Sequence, residues 1–112
     1  MKRFGVTALM IGILLITPGS ALAASCPDLP GELVKGSIQA GGLTRTYLAY
    51  LPTGTMATPS LIIAFHGALG SGEKMRSVCG YQFDRLAERV KCIIVYPDGI
   101  GKHWNDCRTV PD

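Results

Sequence analysis

From residue 33 onward the spacing of apolar and polar positions changes several times, and each change marks an element. "LVKGSIQ" (33–39) and "TRTYLAYL" (44–51) have the composition of strands, and the Gly41-Gly42 pair between them tolerates the positive backbone angles of a tight hairpin. Pro52 ends the second strand, and "TGTMATPS" reads as a loop. "LIIAF" (61–65) and "CIIVY" (92–96) are apolar without alternation, which predicts strands buried on both faces of a parallel sheet. Between them Phe83, Leu86, Ala87 and Val90 fall at i, i+3, i+4 and i+7, while Asp84, Arg85, Glu88 and Arg89 take the remaining positions. That is one amphipathic helix with an apolar stripe toward the core. Strand, glycine turn, helix and strand make a βαβ crossover, so the two apolar strands should lie parallel with the helix on one face.

The N-terminus follows a different pattern. Met1, Lys2 and Arg3 give a basic start, "FGVTALMIGILLI" an uncharged apolar run, and "TPGSALAA" a stretch of small residues. Residues 1–23 read as a secretory signal peptide cut after Ala23, with a domain over 24–112 and a secreted or periplasmic destination. The apolar run is short for a membrane span. "LAASC" also resembles, loosely, a lipoprotein box that would leave Cys26 as a lipid-bearing N-terminus. "SCPDLPGEL" after the cut is a proline-bearing, extended leader.

Composition then limits the function classes. With 47% apolar and 17% charged residues, the chain has a globular rather than a disordered balance. Losing residues 1–23 removes Lys2 and Arg3 and no acid, so the formal charge of +3 becomes +1. There is no basic run, and neither nucleic acid nor an anionic membrane surface is expected as a partner. Cys26, Cys79, Cys92 and Cys107 all follow the signal and would meet an oxidising compartment as disulfide candidates in any of three pairings. Cys92, opening "CIIVY", is expected as a buried thiol or a buried disulfide half. A zinc set of Cys79, Cys92, His103 and Cys107 lacks any close Cys-x-x-Cys pair, so no metal and no cofactor are expected.

"FHGALGSGEK" (65–74) holds the candidate chemistry. From Gly67 the second glycine of a phosphate loop arrives correctly at Gly72, but Glu73 stands where the lysine must be and Met75 follows Lys74, so a phosphate would meet a carboxylate. G-x-G-x-x-G fails as well, since Gly70-Ser71-Gly72 continues as Glu-Lys-Met. An oxyanion-stabilising turn fits better: His66-Gly67-Ala68 lies where "LIIAF" stops, Gly67 removes side-chain bulk, and a backbone N–H fixed at a strand end stabilises the charge of a tetrahedral intermediate.

Read together, "RTYLAYLP", "LIIAFHGALGSGEKM", "LAERV" and "IIVYPDGIGKHWNDCR" resemble the N-terminal part of secreted α/β-hydrolases of the polyhydroxybutyrate depolymerase-like and feruloyl esterase-like group, over about residues 43–108. The resemblance implies an α/β fold with about four strands in the order 1-2-4-3 and one crossover helix, the N-terminal part of an α/β-hydrolase domain. It implies that the Ala68 N–H is an oxyanion donor, with Gly67 permitting approach and His66 shaping the turn. It places Trp104 in a loop at the carboxyl end of the sheet, either against substrate or packing that loop down. The implied partners are esters: polyhydroxyalkanoate chains, or feruloyl or acetyl esters on plant polysaccharide.

No serine here lies in G-x-S-x-G, the elbow such an enzyme needs before its acid and histidine. Ser71 has Leu69 at the first glycine position, and a triad of Ser71 with His66 or His103 and Asp98 or Asp106 runs in an order foreign to the fold. Catalytic nucleophile, acid and histidine are therefore none of these residues. The expectation is an incomplete ester hydrolase, a fragment or truncated frame, inactive and poorly stable by itself, with one edge of "LIIAF" and much of one sheet face bare. A non-catalytic glycan- or polymer-binding module, secreted or lipid-anchored, is the alternative; a small redox or metal protein using the cysteines is a third.

Overall fold

A computed structural model describes residues 25–105. Strand β1 (Glu32–Ala40) pairs antiparallel with β2 (Leu43–Leu51) across the two-residue Gly41-Gly42 turn, where both glycines have positive φ. β2 pairs antiparallel with β4 (Ile93–Pro97), and β4 pairs parallel with β3 (Leu61–Ile63), giving the order β1-β2-β4-β3. The order and the parallel pairing of the two apolar strands agree with the sequence reading. The fold is thus a small mixed sheet with helices, an α/β arrangement.

The crossover holds two helices rather than one. Helix α1 (Gly72–Val78) precedes α2 (Gln82–Val90), and the chain turns between them through Gly80 and Tyr81, both at positive φ. α1 is short and has no apolar stripe, so its periodicity is silent; capping defines it instead. The Ser71 hydroxyl accepts from the Lys74 N–H, and the Gly72 N–H donates to Asp98 Oδ1 at 2.8 Å.

Both helices lie against one face of the sheet. On that face Leu48, Tyr50, Ile94 and Tyr96 join Ala64, Ala87 and Cys92 in the core, with Ile62, Met75 and Phe83 packed around them. α2 is rotated from the expected orientation: Asp84 is fully buried, while Val90 is more than half exposed. The charge is tolerated because Arg76 Nε donates to Asp84 Oδ2 and the Tyr96 hydroxyl to Oδ1, each at 2.7 Å. Burial opposes the charge on Arg76, but Asp84 and Cys26 together hold its pKa above the ordinary value. Burial and the Asp84 carboxylate push the Tyr96 phenol far up.

A second polar tie joins α2 to the leader. The Gly31 N–H donates to the Tyr50 hydroxyl, which donates to Glu88 Oε1 at 2.7 Å, while Thr53 Oγ1 donates to Glu88 Oε2.

The other sheet face is open. Leu61, Ile63 and Phe65 are 57%, 49% and 58% exposed, so "LIIAF" is buried on one face only and its regular strand is three residues long. Ile63, Phe65, Ile93 and Val95 line a shallow apolar groove there with Ala49 and Tyr47. The 1–23 signal reading and Cys107 lie outside the described residues. Among the described residues no helix is long and apolar enough to cross a membrane.

Candidate functional site: the turn after strand β3

β3 and β4 run parallel, so the turns that leave their carboxyl ends meet. One is 66–70; the other follows Pro97 through Gly99 and the 3₁₀ turn Ile100–Lys102 to Trp104. Three hydrogen bonds fasten the first turn to the second. The Gly99 N–H donates to His66 Nε2 at 3.0 Å, the Leu69 N–H donates to the Lys102 carbonyl at 3.0 Å, and the Trp104 indole N–H donates to the His66 carbonyl at 2.8 Å.

His66 is 4% exposed, and both ring nitrogens are committed, because Nδ1 lies 2.6 Å from the Gly67 carbonyl oxygen. Trp104 packs against the His66 ring, tilted by 40° at 4.7 Å between centroids, and meets Phe65 edge-on at 4.9 Å. Its indole N–H thus ties the loop to the turn. Leu69 holds φ at +60°, a strained position for a non-glycine residue, and is 71% exposed.

Gly67 and Ala68 are exposed, and among the described residues no hydrogen bond engages the Ala68 N–H. Gly67 differs from every other described glycine. Each of the others either has positive φ or would press a Cβ into a neighbour; a Cβ on Gly67 would meet no atom of the described residues within 4 Å, at a backbone angle that any residue adopts. Neither local conformation nor packing among the described residues accounts for a glycine at this position.

The alternative triad residues are separately employed. Ser71 Oγ caps α1, Asp98 accepts from Thr46 Oγ1 at 2.7 Å and from the Gly72 N–H, and His66 binds Gly67 and Gly99. No hydrogen bond links the three. His103 is exposed, and Asp106 lies outside the described residues. Glu73, in the place of a phosphate-loop lysine, is exposed beside the same turn.

Cys26, Cys79 and Cys92 are free thiols, exposed, half-buried and buried in that order; Cys26 Sγ lies 3.6 Å from Arg76 Nη2. Among the described residues no three His, Cys, Asp or Glu side chains group as metal ligands. The sequence reading named His66, Gly67, Ala68 and Trp104 but not the bracing by Leu69, Gly99 and Lys102. The turn-forming "PDG" at 97–99 was its only signal, since the contacts are made by backbone groups.

No protein-family model and no curated protein matches the chain. Among solved structures, an acetyl xylan esterase from Aspergillus awamori is similar at 22% identity and a TM-score of 0.47, over 60% of this chain and 24% of that one.

Proposed function

We propose that this chain supplies the oxyanion side of a secreted carboxylic-ester hydrolase acting by serine acyl transfer, with nucleophile, acid and catalytic histidine provided by sequence outside these 112 residues. The observation that supports it is Gly67: a glycine that the described structure does not need, next to an exposed backbone N–H at the carboxyl end of a parallel strand pair. Such a position suits a substrate that must approach the backbone closely.

In the proposed reaction a serine oxygen adds to the ester carbonyl, and its proton passes to the catalytic histidine. The carbonyl oxygen takes up the electron pair and hydrogen-bonds to the Ala68 N–H. Collapse of this intermediate expels the alcohol, which takes the proton, and water releases the acid from the acyl-serine by the same steps in reverse. One such donor is worth about 10²–10³ in turnover, because it is already aimed where charge develops. The substrate classes are those of the resembled group: polyhydroxyalkanoate, feruloyl or acetyl esters.

The test is to read the coding sequence past Asp112 and express the protein it encodes. A continuation carrying G-x-S-x-G, with hydrolysis of p-nitrophenyl butyrate that a serine-directed phosphonate abolishes, is the expected result. A stop codon followed in every frame by sequence without that elbow overturns the reading, as does phosphonate-sensitive hydrolysis by the 112-residue chain alone.

A further inference from the structure

We infer that His66 is a positioning residue: held as its neutral Nδ1–H tautomer, it aims the Ala68 N–H through the carbonyl of Gly67. This rests on the proposed role of Ala68 and adds what orients it.

The tautomer follows from the two partners. A backbone N–H only donates, so the Gly99 contact requires a lone pair on Nε2; a carbonyl only accepts, so the Gly67 contact requires a proton on Nδ1. The two requirements agree on one neutral form, and the ring is buried against Trp104. With both nitrogens engaged, His66 is not available as a general base.

The Gly67 carbonyl belongs to the same peptide unit as the Ala68 N–H. It accepts twice, from His66 Nδ1 at 2.6 Å and from the Gly70 N–H at 3.1 Å. In a trans peptide the C=O and N–H point in opposite directions. Fastening the carbonyl against His66 and Gly70 therefore turns the Ala68 N–H away from both. Gly70 leaves room for this pair: a Cβ there would lie 3.0 Å from both the Gly67 oxygen and His66 Nδ1. The Gly99 and Trp104 contacts fix the ring and its backbone, so the aim of the donor is set by the loop after β4.

The experiment is NMR on the ¹⁵N-labelled chain, without substrate. In wild type, the expected imidazole signature is a protonated, pyrrole-type Nδ1 and a pyridine-type Nε2; the opposite tautomer overturns the inference without any variant. His66→Asn places an amide donor where Nδ1 sits, whereas His66→Gln offers an acceptor near Nε2 and no donor to Gly67. The Ala68 amide cross-peak should stay near its wild-type position in H66N and shift in H66Q, with the Ala87 cross-peak unmoved in both as the check on folding. An unshifted Ala68 in H66Q overturns the inference. Should either variant fail to fold, the wild-type tautomer alone decides. Because no turnover is read, failure of the esterase reading and failure of this one are separate results.

Discussion

Alanine replacements at Gly67, Gly70 and Gly72 separate a glycine kept for the fold from one the fold does not need. At Gly67 the new methyl meets no described residue, and the backbone angle suits an L-residue, so the chief effect is a less flexible unfolded chain. That predicts a change between neutral and about 1 kcal/mol of added stability. At Gly70 the methyl would sit 3.0 Å from the Gly67 oxygen and from His66 Nδ1, neither of which yields freely because Trp104 packs on the ring. Overpacking of this kind costs about 1–3 kcal/mol. At Gly72 the methyl runs into the Tyr96 carbonyl, a backbone atom of a central strand, and the cost should reach or exceed the top of that range. Urea unfolding followed by far-UV circular dichroism gives the three differences from the midpoint shifts and a common m-value. The expected order of stability is G67A, then G70A, then G72A. A loss in G67A equal to that in G70A would refute the reasoning, because Gly67 would then be required by packing and would no longer point to a ligand.

Two further predictions concern the polar ties. Asp84→Asn leaves the Arg76 charge half-buried without its partner and should cost about 3–5 kcal/mol, whereas Tyr96→Phe removes one hydrogen bond to a charged group and should cost about 1.5–3 kcal/mol. A loss under about 1 kcal/mol in D84N, by the same unfolding measurement, would show the pair to be incidental. Burial and the Glu88 hydrogen bond push Tyr50 from 10.0 up to about 12. A group raised in the folded state stabilises below its unfolded pKa, so about 2–3 kcal/mol should vanish as the pH rises from about 10 to about 12, and Tyr50→Phe should flatten that decline. Glu88, lowered chiefly by the Tyr50 hydroxyl, acts in the other direction: its contribution is complete above 4.5 and fades in acid. An equal alkaline slope in Y50F and wild type would show that the loss comes from elsewhere.

The parts of the fold that sequence made legible are those governed by neighbours. Gly41-Gly42 fixes the hairpin register from Ala40–Leu43 outward, and the apolar runs give the strands that became the parallel pair. What pattern concealed depends on partners far along the chain. α1 is capped from Asp98, 26 residues away, and Asp84 turns inward because Arg76 and Tyr96 meet it there. Likewise, alternation failed to reveal that β3 has an exposed face, since an apolar run reads the same whether one side or two are covered.

The site shows this division most clearly. "HGA" was readable as a turn, and "YPDGIGKHWN" was notable in sequence only through its resemblance to a hydrolase group. The fold gives the second stretch a physical role, because Gly99, Lys102 and Trp104 each bond to the first. Those bonds span 33 to 38 residues and use backbone groups or an indole, so no spacing rule marks them. They also explain how an exposed turn keeps one shape. Leu69, strained at φ +60°, is held by the Lys102 carbonyl, and the Gly67 carbonyl is held from two sides. An N–H that stabilises developing charge is useful only if it does not have to reorient as the charge forms. Here the rigidity comes from the loop after β4 rather than from the glycine-rich turn, whose own composition favours freedom. Changes in that loop should therefore disturb the orientation of the Ala68 N–H, the proposed donor, as surely as changes beside it.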